Sequence, residues 1–313
     1  MHRPATLPDV TVVLLVYQPG EREVQTAKIV RKQRYDGVVL VQVIDSSPDK
    51  SLSANLELRR AADTWVSIAP ESFGHGRTRN LGVQHCFTPL VAFLSQDAHP
   101  VDDDWLRALV QPLVDGRAEA SYGKQQPPES NPEREATYGF LYPEVGEIRT
   151  MENVAREGLR TFHFSDVSSA FPTNVIRRVR FPEEIHTFED VGIAKRLLDG
   201  DCRIAYVPEA AVWHAHILSK RAMFARYREI GMIYERLGIF GELRRAGRSP
   251  FLGEGVRVAK AVSPRGRAGL KEKATPVLVG ALKASAVTWG HWEERLGKST
   301  GRRLGNLFCW FTH

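Results

Sequence analysis

Four groups of residues in this chain have types and spacings that can do chemistry. Asp97 follows the apolar run Leu90–Leu94, so its carboxylate belongs at the rim of a sheet, where a hard cation can bridge it to phosphates. A turn aspartate is the competing reading. His214 and His216 are two apart on a strand-like segment and face the same way; one can ligate a cation while the other donates to a phosphate. Glu189-Asp190 opens a helix ending near Leu198, and an acid there is either a cap or a general base facing a cleft. Gly74-His75-Gly76-Arg77-Thr78-Arg79-Asn80 is a glycine-bearing loop with two arginines feeding a helix, a form that can approach a diphosphate closely. It is neither a GxGxxG fingerprint nor a Walker loop. Asp102-Asp103-Asp104 resembles a metal motif, but Trp105-Leu106 follows at once, which favours a helix N-cap role for one of these acids.

The elements that must position these groups alternate. Val10–Tyr17, Val38–Ile44, Trp65–Ile68 and Leu90–Leu94 read as buried strands, and Glu21–Arg34, Arg77–Phe87 and 104–114 as the helices between them. This predicts a three-layer α/β/α sandwich around a mostly parallel sheet. In such a sheet ligands bind at the carboxyl ends of the strands, where Tyr17, Asp45, Asp97 and the His214/His216 pair all lie. Residues 123–160, with Pro127-Pro128 and dense charge, read as a long surface excursion. Further strands are expected at Arg203–Val207 and Ala211–His216, then helices at Arg221–Leu237 and Ala274–Leu296.

The 313 residues are 42% hydrophobic and 26% charged, a globular balance that excludes a disordered or fibrous chain. Cys86, Cys202 and Cys309 are odd in number and far apart, which implies no disulfide framework or zinc cluster and a reduced, cytoplasmic setting. Val10–Val16 is too short for a signal peptide. The net charge of +6 hides an asymmetry: residues 220–313 hold 19 basic and 7 acidic groups, and residues 1–219 hold 24 and 30. We therefore expect two regions with different partners, an acidic one at 1–219 and a basic helical C-terminal extension at 220–313.

In this order these segments resemble an inverting glycosyltransferase of family 2, with the GT-A fold. The resemblance rests on VTVVLLVYQPG at 10–20, VQVIDSSPDKS at 41–51, GHGRTRNLG at 74–82, FLSQDAHP at 93–100, TFEDVGIAKRLLDGD at 187–201 and IAYVPEAAVWHAH at 204–216. FGHGRTRN and FLSQDA are especially similar to bacterial rhamnosyltransferases of polysaccharide assembly. The resemblance implies that Tyr17, Asp45, Arg77, Arg79 and Gln96 hold the nucleotide and its diphosphate. It makes Asp97 the last residue of a DxD motif binding Mg²⁺ or Mn²⁺, with His214 or His216 as a further ligand. Asp190, beside Glu189, would be the general base. Ser95 stands where the first Asp of DxD is usual, a replacement shared by the rhamnosyltransferase-like subgroup. The later Gln-x-x-Arg-Trp motif and membrane helices of processive synthases are absent, so a single-addition enzyme is implied.

The implied donor is dTDP-L-rhamnose, with a UDP-sugar as the alternative, and the implied acceptor is a glycan or a lipid-linked glycan. A non-catalytic sugar-nucleotide-binding protein is the reading from another class. The basic extension, with Trp289, Trp292, Phe308, Trp310 and Phe311, suits peripheral contact with an anionic membrane at the inner face of the cell membrane. A helical appendage or a homodimer contact fits it equally. No nucleic-acid-binding motif accompanies the basic charge, so no nucleic-acid partner is expected.

Overall fold

The computed structural model describes residues 6–49, 53–127, 141–214, 219–249 and 270–297. They fall in two compact units. One spans the chain to residue 129 together with 142–151 and 162–215; the other comprises 130–141, 152–161 and 216–313.

In the first unit, β1 (Val10–Val16), β2 (Val39–Asp45), β3 (Thr64–Ser67) and β4 (Leu90–Ser95) form a parallel half-sheet in the order β3-β2-β1-β4. β1, β2 and β4 are mostly apolar because both of their faces are covered, whereas the edge strand β3 is only partly buried. Val24, Ala27 and Val30 of α1 (Glu21–Arg31) pack in one core with Val12, Leu14, Val41 and Val43. After α2 (Ser53–Ala61), α3 (His75–Gln84) packs on the opposite face, where a Cβ on Gly82 would lie 2.9 Å from Val13 Cγ1. The register pairs Val16 with Asp45, Leu15 with Ser95 and Asp45 with Ser67, so the strands end level and their following residues share one rim.

The other half-sheet departs from the expectation. β5 (His99–Pro100), β6 (Ala120–Gln126), β7 (Glu147–Arg149), β8 (Ser168–Pro172) and β9 (Ile204–Trp213) continue the order as β4-β8-β6-β9-β5, with β7 also on β9. β8 is antiparallel to β4 and β6, and β5 and β7 are antiparallel to β9; only β6 and β9 run parallel here. The sheet is therefore mixed, because an apolar run marks a buried strand without encoding its direction. The two strands expected at 203–207 and 211–216 are one strand, β9. It crosses Pro208-Glu209 where the β6 register shifts between Gly123 and Gln125. Gly123 is required there, since a Cβ would sit 2.0 Å from the Ala210 carbonyl oxygen.

The surface excursion expected at 123–160 is only partly that. β6 runs on to Gln126, and Arg149 of β7 is fully buried, its guanidinium 5.0 Å from the Tyr122 ring and 3.2 Å from Glu147 Oε1. Residues 128–140 lie outside the described ones. Asp104 stands at the N-cap of α4 (Trp105–Val114), as one of the three acids was expected to, yet makes no side-chain cap bond: its carboxylate pairs with Arg34. α5 (Thr173–Val179) and α6 (Glu189–Asp199) complete the unit.

In the second unit, α7 (Lys220–Arg236) starts at Ser219, whose hydroxyl oxygen accepts the Ala222 N–H at 3.2 Å. α8 (Ile239–Arg245) and α9 (Leu270–Leu296) follow. The pairs Tyr227–Lys283, Gly231–Val287 and Glu235–His291 advance together along both helices, so α7 and α9 run parallel. Glycines let their backbones touch: a Cβ on Gly290 would lie 1.9 Å from the Arg228 carbonyl oxygen. Ion pairs Arg228–Glu293 and Arg236–Glu294 tie α7 to α9. No helix among the described residues is long and apolar enough to cross a membrane.

Candidate functional site

The level ends of β1, β2 and β4 form a polar rim. Gln96 ties two of them, its Oε1 accepting the Tyr17 N–H at 2.7 Å while its Nε2 donates to the Tyr17 carbonyl at 3.4 Å. The Tyr17 side chain is left exposed. Asp45 is buried, and its Oδ1 accepts the Ser47 N–H at 2.8 Å, shaping the turn after β2. Ser47 in turn accepts the Gln18 N–H at 2.7 Å, closing the β1 and β2 ends together.

Asp97 is brought to His214 by backbone pairing. β5 opposes β9 with His99 against Trp213, and the His214 N–H donates to the Gln126 carbonyl at 2.9 Å. His214 Nε2 then lies 3.3 Å from Asp97 Oδ2. The histidine is buried, whereas the Asp97 side chain keeps 37% of its surface exposed. On the far side of the ring, His214 Nδ1 is 2.9 Å from Gln125 Oε1, and Gln125 Nε2 donates to Ser165 Oγ at 2.5 Å. An amide oxygen only accepts, so Nδ1 carries the hydrogen on that side and Nε2 is the ring nitrogen that faces Asp97. Arg22 steadies the Asp97 loop by donating to the Asp97 carbonyl at 2.8 Å and bonding His99. Burial and Arg22 hold the His99 pKa below its ordinary value.

The GHGRTRN segment forms the first turns of α3 and packs on residues 181–189. A Cβ on Gly76 would sit 2.3 Å from the Pro182 carbonyl oxygen, and one on Gly192 would sit 2.5 Å from Pro182 Cγ. Asn80 Nδ2 donates to the Phe181 carbonyl at 2.9 Å, and the Phe181 N–H returns to Asn80 Oδ1 at 2.9 Å. This docking sets Arg79 against the start of α6. Its Nη1 donates to Glu189 Oε1 at 2.9 Å, and its Nε is 3.1 Å from Asp166 Oδ2. His75 Nδ1 lies 3.7 Å from the same Glu189 oxygen. Burial raises the Asp166 carboxyl to about 7, with Glu189 adding to the rise and Arg79 opposing it. Burial also pushes Glu189 upward against the pull of Arg79.

The sequence expectation for Arg79 is corrected here: with 4% of its surface exposed and carboxylates at two of its nitrogens, it does not stand open to a diphosphate. The Arg77 side chain is 62% exposed, with its Nε 3.8 Å from Glu183 Oε2. Glu189 is buried as Arg79's partner rather than facing a cleft. Asp190 is partly buried, stands two residues after Phe188, whose backbone is left-handed (φ 63°), and accepts the Val191 N–H at 2.8 Å. His216 lies outside the described residues. Asp166 and Gln125 were missed as site residues, since neither belongs to a spaced motif, and His75, though inside the GHGRTRN loop, was given no role of its own; only their placement by the fold reveals them. Among the described residues no group of three or more His, Cys, Asp or Glu gathers as a metal cluster, so Asp97–His214 is a two-donor pair. A cavity of about 470 Å³ lined by Gln111, Arg117, Glu147, Tyr206 and Glu209 includes none of these residues.

Residues 11–179 match the family model Glycosyl transferase family 2. The O-antigen chain rhamnosyltransferase RfbN of Salmonella typhimurium is 25% identical over 228 residues, covering 72% of each chain. The O-antigen chain rhamnosyltransferase WbaN of Salmonella anatum is 27% identical over 236 residues, covering 73% of each. Among solved structures, the mannosyltransferase PcManGT from Pyrobaculum calidifontis, in complex with GDP-Man and Mn²⁺, aligns with a TM-score of 0.62 at 16% identity, over 92% of this chain and 88% of that one. S. aureus TarS 1–349 in complex with UDP-GlcNAc gives 0.54 at 15% identity, over 92% of both chains. These structures share the fold. The parallel half-sheet, the polar rim at its carboxyl edge and the match over residues 11–179 place this chain in glycosyl transferase family 2, as a rhamnosyltransferase-like glycosyltransferase of the GT-A type.

Proposed function

We propose that the protein transfers L-rhamnose from dTDP-L-rhamnose to a hydroxyl of a glycan or lipid-linked acceptor, with inversion. The observation that carries this reading is the Asp97–His214 pair at the rim where Tyr17, Asp45 and Gln96 converge. The names of the Salmonella relatives support the sugar. The pair fits a divalent cation, Mg²⁺ or Mn²⁺: a carboxylate oxygen and an imidazole nitrogen stand 3.3 Å apart, close to the roughly 3 Å between adjacent donors on one small cation. Such an ion would supply charge to offset the departing diphosphate. Arg77 and the rim around Tyr17 and Gln96 orient the nucleotide and its phosphates. Asp190 accepts the acceptor hydroxyl proton; the acceptor oxygen bonds to the anomeric carbon as the bond to the diphosphate oxygen breaks, its electron pair leaving with the diphosphate. Residues 1–219 carry this chemistry, and 220–313 form a basic extension that contacts an anionic membrane surface where a lipid-linked acceptor resides.

Calorimetry with dTDP-L-rhamnose and UDP-sugars, with and without Mn²⁺, on the wild type and on Asp97→Ala tests the reading. Metal-dependent preference for dTDP-L-rhamnose that is lost in the variant is the expected result. Preference for a UDP-sugar overturns the rhamnose assignment and keeps the transferase. Binding of neither removes the donor reading altogether.

A further inference from the structure

Arg79 is a buried cation held between the buried carboxyl groups of Glu189 and Asp166, and taking such groups out of water is costly. We propose that Arg79, anchored by Asp166, is a positioning residue for the general base: it clamps Glu189 at the first residue of α6 and so sets the direction of Asp190, the next residue. The inference rests on the reading of Asp190 as the base.

The geometry is specific. Phe188, just before the two acids, is a non-glycine residue at φ 63°, ψ 32°, a backbone state of higher energy that persists only where its surroundings hold it. Its carbonyl accepts the Val191 and Gly192 N–H groups at 3.1 and 3.2 Å, which fixes the chain after the base. The Arg79–Glu189 bond at 2.9 Å fixes it before the base. Arg79 is itself held from three sides: Asp166 at 3.1 Å, the Phe181 ring at 5.8 Å, and the His75 carbonyl, which accepts from Nη1 at 3.2 Å. With a proton on Asp166, Arg79 and Glu189 cancel, and the net negative charge at this helix start falls on Asp190, where the helix dipole favours it. Among the described residues, His75 also stands against the cluster, half exposed at 3.7 Å from Glu189. A guanidinium placed this way never touches the donor, which separates this role from the diphosphate contact that the sequence resemblance implies.

The test uses the full chain and the sugar nucleotide that the wild type binds most tightly by calorimetry, among dTDP-L-rhamnose and UDP-sugars. Release of nucleoside diphosphate is followed with water as acceptor. Arg79→Lys and the shape-conserving Glu189→Gln and Asp166→Asn are compared, each with its donor Kd, kcat, pH profile and melting temperature. Expected are a donor Kd within about twofold of wild type and a kcat lowered roughly 10- to 100-fold, the effect of displacing a catalytic group by about 1 Å. Asp166→Asn should also move the pH profile. Weaker donor binding with kcat preserved in Arg79→Lys overturns the proposal and makes Arg79 a donor contact. A lower melting temperature with kcat, KM and pH profile all unchanged overturns it in favour of a purely structural cluster. Asp190→Asn, measured alongside, separates the two levels: if it keeps turnover, the base reading fails and this inference goes with it.

Discussion

Asp97 Oδ2 lies 3.3 Å from His214 Nε2, although the two residues are 117 positions apart, because the two-residue ladder His99–Pro100 against Val212–Trp213 brings their segments together. Gln125 on the far side of the imidazole, 2.9 Å from Nδ1, holds the ring so that Nε2 faces the carboxylate.

The pair should bind Mn²⁺ without any nucleotide. Titrating Mn²⁺ alone should show binding in the wild type and none in Asp97→Ala or His214→Ala. Gln125→Leu keeps both donors but frees the ring, and its affinity should fall roughly 10- to 100-fold, as for other residues that orient a metal-ligating histidine. An unchanged affinity in Gln125→Leu would show that the ring needs no such support.

Asp190→Asn should lower kcat by roughly 10²- to 10⁴-fold, the contribution of a positioned base. Donor affinity should stay within about twofold, since the change leaves shape and the Val191 N–H contact in place. Single-turnover rates beside calorimetry would check both.

Stability should decline with pH through the neutral range. The Asp166 pKa rises from an ordinary 3.8 to about 7 on folding, so between those values the folded chain holds a proton that the unfolded chain has lost. The stability this gives is complete below about pH 4 and is lost as pH rises through about 7. At about 1.4 kcal/mol per pH unit, the full loss is about 4 kcal/mol at most. Urea unfolding at pH 5 and pH 8 should show it, and Asp166→Asn should flatten the difference.

The helix pair of the second unit depends on Gly290. Gly290→Ala puts a methyl group into the space of the Arg228 carbonyl oxygen, and overpacking of this kind costs roughly 1–3 kcal/mol. Thermal unfolding should show that loss, whereas Ala284→Ser, at a half-exposed position on the same helix, should be near neutral.

The apolar runs of β1, β2 and β4 announce a doubly covered parallel half-sheet, and the polar residues that follow them announce its rim, because both are local facts of residue type and spacing. Asp97 and Asp190 could be singled out for the same reason. Strand direction in the second half-sheet could not, since β8 reads alike in either orientation. Nor could the split of roles within GHGRTRN. In sequence Arg77 and Arg79 are two equivalent cations, but a helical turn sends one outward to solvent and the other inward to Glu189 and Asp166. Which charges are buried together depends on elements about 90 and 110 residues away from that loop, and only the folded packing brings those elements into contact.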